Sequence, residues 1–242
     1  MRKLGAALVV AGVLTALPAA AQQFNIDLGS GTTSSTTRII QLIALTTVLS
    51  VAPSILVMVT SFTRIVVVLS FLRQALGTQQ SPPNMVMVSL ALFLTGFVMA
   101  PTLQQSWSQG VQPYIDGQIE EADAFDRTMQ PLRVFMLKHA RERDIRLFLD
   151  LSHAPETTKA EDTPLQALIP AFMISELRRA FEMGFLIFLP FVIIDMVVAS
   201  VLMSMGMMMI PPAMISLPFK LIFFVLVDGW YMVVGSLVQS FG

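Results

Sequence analysis

Hydrophobic positions along the chain gather into long unbroken runs instead of alternating with polar ones. Four runs stand out: about Ile39 to Val59, Met85 to Leu103, Gly184 to Ser204 and Ala213 to Val238, the first resuming as Ile65 to Leu72. Each is near or above the ~20 residues a helix needs to cross the hydrocarbon of a bilayer. A helix is the only way such a segment satisfies its own backbone in lipid. The pattern predicts an all-α membrane protein made of two hydrophobic helical hairpins. One covers residues 39–103 with a link at 60–84, and the other covers 184–242 with a loop at 203–212.

Residues 104–183, between the hairpins, are more polar and read as helical. Pro131 suits a first helical position, followed by Leu132, Phe135 and Met136 at helical spacing. Arg141 to Arg146 reads as a charged turn, and Ser152 to Thr163 as a loop. Thr163-Pro164 then opens a new helix. That helix carries Glu176, Arg178, Arg179 and Glu182, spaced for local Glu176–Arg179 and Arg178–Glu182 ion pairs or for contacts between neighbouring subunits.

The first residues follow a different rule. Arg2 and Lys3, a short apolar run from Leu4 to Leu17, and Pro18-Ala19-Ala20-Ala21 make residues 1–21 a cleavable signal peptide. Residues 22–38 form a polar lead-in. With a mature start outside the cell membrane, four crossings leave the link 60–84 and the Met-rich loop in the cytoplasm. Region 104–183 then faces the periplasm.

Composition sharpens this picture. Of 242 residues, 55% are hydrophobic and 13% charged, with a mean hydropathy of +0.72. Soluble globular domains carry roughly 25% charged residues, so a soluble enzyme of this size is excluded. A net charge of −1 leaves no basic footprint for nucleic acid. The absence of Cys removes disulfides, thiolate metal sites and Cys nucleophiles together. No phosphate-binding loop, zinc-protease motif or nucleophile–base pair is present, so no catalytic residue, metal site or cofactor is expected.

Four local features carry functional information. The loop Met203-Ser204-Met205-Gly206-Met207-Met208-Met209-Ile210-Pro211-Pro212 holds five of the 17 methionines within seven residues. Flexible, polarizable thioethers adapt to irregular surfaces. The loop is therefore either a packed hydrophobic turn or a soft constriction that excludes water. Asp195, Lys220 and Asp228 are ionisable residues inside apolar runs, where charges are costly. In a hairpin folded near Met209, Asp195 and Lys220 stand within roughly 4–5 Å in height, which predicts an ion pair. Asp228 lies about 12 Å further along the same helix and must find another partner. Pro53, Pro170, Pro190, Pro211, Pro212 and Pro218 predict kinks. The link 60–84, with Arg64 and Arg73 in an apolar stretch, reads as an interfacial anchor snorkelling to lipid phosphates or as a subunit contact.

Three stretches carry a resemblance. TSFTRIVVVLSFLRQALGTQQSPPN (60–84), PAFMISELRRAFEMGF (170–185) and MGMMMIPPAMISLPFKLIFFVLVDGW (205–230) closely resemble the FliP family of flagellar biosynthetic proteins. The resemblance implies a subunit of the flagellar type III export gate in the bacterial inner membrane, at the flagellar basal body. It implies several copies, expected as a pentamer, assembled helically with FliQ and FliR, joined by FlhB and beside FlhA. It also implies kinked hairpins stacked around a channel for unfolded flagellar proteins. Met205, Met207, Met208 and Met209 would be the gasket, turned by Gly206, Pro211 and Pro212. The rival readings are an ion or solute transporter using Asp195, Lys220 and Asp228, and a purely structural subunit.

Overall fold

The computed structural model describes residues 32–78, 81–152, 163–207 and 209–242. The expected signal peptide, most of the polar lead-in, Met208 and most of the Ser152–Thr163 loop lie outside the described residues. The described residues are helical and contain no strand. The chain divides into two compact units, residues 1–50 and Val51–Gly242.

Helix α1 (Thr32–Val59) supplies the described part of the first unit and runs on, through Pro53, into the second. Many of its apolar side chains, among them Ile40, Ile43 and Leu49, are exposed, while Val59 at its end is buried. Two described hydroxyls turn back onto the helix: Thr46 donates to the Leu42 carbonyl at 2.8 Å and Thr47 to that of Ile43 at 2.7 Å. Hydroxyls satisfied within their own helix leave a surface compatible with hydrocarbon.

In the second unit, helix α2 (Phe62–Leu76) is a core element and not an interfacial anchor. Ile65, Val68, Leu69, Leu72, Ala75 and Leu76 recur at helical spacing and are buried. That stripe is buried against the long helix α7 (Leu165–Ser204). The two helices approach so closely that a Cβ on Gly184 would stand 2.4 Å from the Phe71 ring. Gly77 ends α2 in a left-handed turn at φ 76°.

Helix α3 (Asn84–Ser106) continues through Pro101 into a π-turn (Trp107–Val111) and the short α4 (Gln112–Ile115). Helices α5 (Glu121–His139) and α6 (Glu142–Leu151) follow. Two expectations fail here. Pro131 lies inside α5, because the helix starts earlier on acidic residues, Glu121 and Asp123, that suit its positive end. The Arg141–Arg146 turn is instead the start of α6, whose first turn holds Glu142 and Asp144.

Helix α7 opens directly after Thr163-Pro164 and runs 40 residues, about 60 Å at 1.5 Å per residue. No break falls at 183, so the expected outer helix and third apolar run are one rod. It passes through Pro170 and Pro190, and α8 (Pro212–Leu226) passes through Pro218. The marked break in the last apolar run falls where there is no proline. Between α8 and α9 (Gly229–Gln239) the axis turns by 63°, with Asp228 left-handed at φ 49°. Asp tolerates that conformation better than most residues. Among the described residues three helices, α1, α3 with its extension, and α7, are long and apolar enough to cross a membrane, and the bent α8–α9 pair can count as a fourth.

Candidate functional site

Helices α7 and α8 form a hairpin whose tip is the Met-rich loop. Ser204 ends α7, Gly206 turns the chain at φ 74°, and Pro211 precedes α8. The described loop methionines point outward: Met203 is 57% exposed, Met205 62%, Met207 42% and Met209 98%. Within the single chain these described methionines are therefore not packed in a core. Ile210, Pro211 and Pro212 extend the exposed apolar surface.

Farther back along the two arms of the hairpin lies a polar station. Lys220 on α8 donates to Asp195 Oδ2 on α7 at 2.6 Å, and Ser216 donates to Asp195 Oδ1 at 2.6 Å. The ammonium is nearly buried, at 8% exposure, while Asp195 retains 39%. A Cβ on Gly77 would stand 3.9 Å from Lys220 Nζ, so the C-terminal end of α2 also abuts the cation. Helix C-termini carry partial negative charge, which favours that placement. Asp228 lies apart, exposed at the α8–α9 break.

A second charge cluster joins residues 112 apart in sequence, and the local reading of each partner missed it. Arg64 Nε donates to Glu176 Oε2 at 2.7 Å and Arg64 Nη2 to Oε1. Arg64 is 1% and Glu176 0% exposed. Glu176 thus pairs with Arg64, not with Arg179, and Arg64 does not snorkel. One signal was available: Leu168, Phe172, Glu176, Ala180 and Gly184 recur every four residues along the buried stripe of α7. A carboxylate on such a stripe needs a buried cation. Arg178 and Glu182 do pair locally, at 2.7 Å, and both are exposed. Arg73 holds the turn before α3, donating to Asn84 Oδ1 and to the Pro82 carbonyl at 3.4 Å.

A third cluster ties α6 to α7. Asp144 Oδ2 accepts from Ser175 Oγ at 2.6 Å and Arg141 Nε at 2.9 Å. Burial pushes the Asp144 carboxyl up, but the bonds from Ser175 and Arg141 and the charges of Arg141 and Arg143 together hold it below its usual value. None of these groups has a nucleophile–base arrangement; they neutralise one another and fix helix positions.

Long apolar helices, charges matched inside the bundle and an uncovered sulfur-rich tip define an all-α membrane protein. Residues 45–237 match the FliP family. The chain is 57% identical over 235 residues to the flagellar biosynthetic protein FliP of Caulobacter vibrioides, covering 97% of this chain and 88% of the relative. It is 54% identical over 202 residues to that of Bacillus subtilis, covering 84% and 91%. It is 49% identical over 240 residues to that of Agrobacterium fabrum, covering 97% and 98%. The chain belongs to the FliP family.

Proposed function

We propose that this chain is a core subunit of the flagellar type III protein export gate. Several copies, with FliQ and FliR, form the passage through which unfolded flagellar subunits cross the inner membrane. Energy coupling comes from other components. In this reading Met205, Met207, Met208 and Met209 of neighbouring copies meet at the axis as a deformable seal. Thioethers pack against one another to exclude water and ions, yet rearrange around a passing chain at low energy. The Asp195–Lys220–Ser216 station keeps the two arms of the hairpin in register below the seal.

The observation that carries the seal is the outward display of Met203, Met205, Met207 and Met209 at the hairpin tip. Exposed thioethers gathered at a hairpin tip can pack against the same tip of a neighbouring copy. The transporter reading gains nothing from the geometry, since Asp195 and Lys220 neutralise each other and Asp228 stands apart at the helix break. Replacing Met205, Met207, Met208 and Met209 with Ala tests the proposal. Ion conductance of the cell membrane should rise while the subunit still co-purifies in a large complex. Unchanged conductance with intact assembly overturns the seal.

A further inference from the structure

We infer that Ser240 and Phe241, which follow α9, form a latch that closes the open side of the buried Arg64–Glu176 pair and so positions α2 against α7. Glu176 satisfies one edge of the guanidinium. Arg64 Nη1 is then left to donate to the Ser240 carbonyl at 3.1 Å and to Ser240 Oγ at 2.9 Å. The guanidinium carbon lies 3.7 Å from the centroid of the Phe241 ring. That ring also stacks on Phe135 at 6.1 Å and tilts against His139 at 5.3 Å.

A buried guanidinium has five donors, and a carboxylate cannot take them all. Any donor left in a dry site is costly, and removing a neighbour that excludes water lets the pair hydrate and loosen. Ser240 supplies the missing acceptors and Phe241 supplies a face-on π surface. Because α9 lies beyond the 63° break, its own helical continuity does not hold it on the bundle. Together with the buried Leu237, the latch fastens α9 to α2, α5 and α7. The role is one of positioning: Phe241 acts through Arg64.

The chain has no cysteine, so one added thiol is a clean reporter. Ser61 is fully buried at the start of α2, and its hydroxyl has no partner, which makes Ser61→Cys a mild substitution. Maleimide labelling of that thiol, in the full chain in native membranes, reads how often α2 lifts away. This readout depends on contacts within one chain, so its result stands apart from the export reading.

In the Ser61→Cys chain, Phe241→Leu keeps bulk but deletes the π face, and should speed labelling about tenfold, the scale of a desolvated cation–π contact. Phe241→Tyr should restore the parent rate to within about twofold. Ser240→Ala, a smaller change that still folds if the larger one does not, should speed labelling at least about tenfold through loss of one charged hydrogen bond. In a neutral Arg64→Gln, Glu176→Gln background, Phe241→Leu should add less than about twofold, because coupling vanishes with the charge. Parental labelling in both Phe241→Leu and Ser240→Ala overturns the latch. So does a Phe241→Leu effect that survives undiminished in the neutral background.

Discussion

Glu176→Gln is the sharpest perturbation of this fold. Arg64 and Glu176 are 1% and 0% exposed, and two hydrogen bonds join them. The substitution keeps the volume and one acceptor but removes the charge, and it turns an amide donor toward a guanidinium donor. Arg64 stays protonated, because guanidinium does not lose its proton in proteins. The buried cation is then uncompensated, at a cost of about 3–5 kcal/mol. For a chain of this size each kcal/mol moves the melting temperature by about 2–4 °C, so the variant should melt at least about 6 °C lower. Thermal unfolding in mild detergent, followed by helical circular dichroism, measures this. The double variant Arg64→Met, Glu176→Leu removes both charges and fills the space with apolar atoms. It should melt within about 2 °C of the parent or above it. If the single variant melts with the parent, or the double variant falls as far as the single one, the argument from charge burial fails.

Three further outcomes follow from particular contacts. In Gly110→Ala the new Cβ would meet Thr128 N at 2.6 Å and the Ala124 carbonyl at 2.9 Å, both backbone atoms. The π-turn and α5 must therefore separate, lowering stability by about 1–3 kcal/mol, whereas Gly96→Ala, with open space around it, should not; comparing their melting temperatures checks this. Burial, with help from the nearby Arg64, Arg179 and Lys138 charges, holds His139 below its usual 6.5 despite the bond to the Phe135 carbonyl. The unfolded chain then takes up that proton first, so stability is complete above 6.5 and declines as pH falls below it. Asp144, also depressed, adds a second loss below its ordinary 3.8. A melting temperature that stays flat down to about pH 5 would contradict the His139 assignment. Exchanging the Asp195 and Lys220 residues should preserve accumulation and swimming where either single change does not. Normal accumulation with lost swimming in the exchanged chain would show that orientation, and not pairing alone, matters.

The long apolar runs were legible because membrane-length helices need only local hydropathy. The Asp195–Lys220 contact was legible too, since a hairpin with a recognisable tip converts residue number into height. Arg64 with Glu176 was not. Nearby Arg179 offered Glu176 a local partner, and distance along the chain hid the true one. The pattern of α2, apolar with two arginines, is the same for a core helix and for a membrane-surface helix. Only the covering by α7 distinguishes them. The break at Asp228 escaped notice because kinks were sought at prolines, and Pro170, Pro190 and Pro218 lie inside continuous helices.

Helix α7 is about twice as long as the ~30 Å hydrocarbon layer, so a substantial stretch of it must stand clear of the lipid. One end is braced through Ser175 against Asp144 and Arg141, and the other carries the sulfur-bearing tip. Such a rod is a boom. A swing of about 5° at Ser175, with roughly 44 Å of helix beyond it, sweeps the far end by about 4 Å. A slight shift at the Asp144–Ser175 contact would thus be delivered, amplified, to the exposed methionines of the hairpin tip.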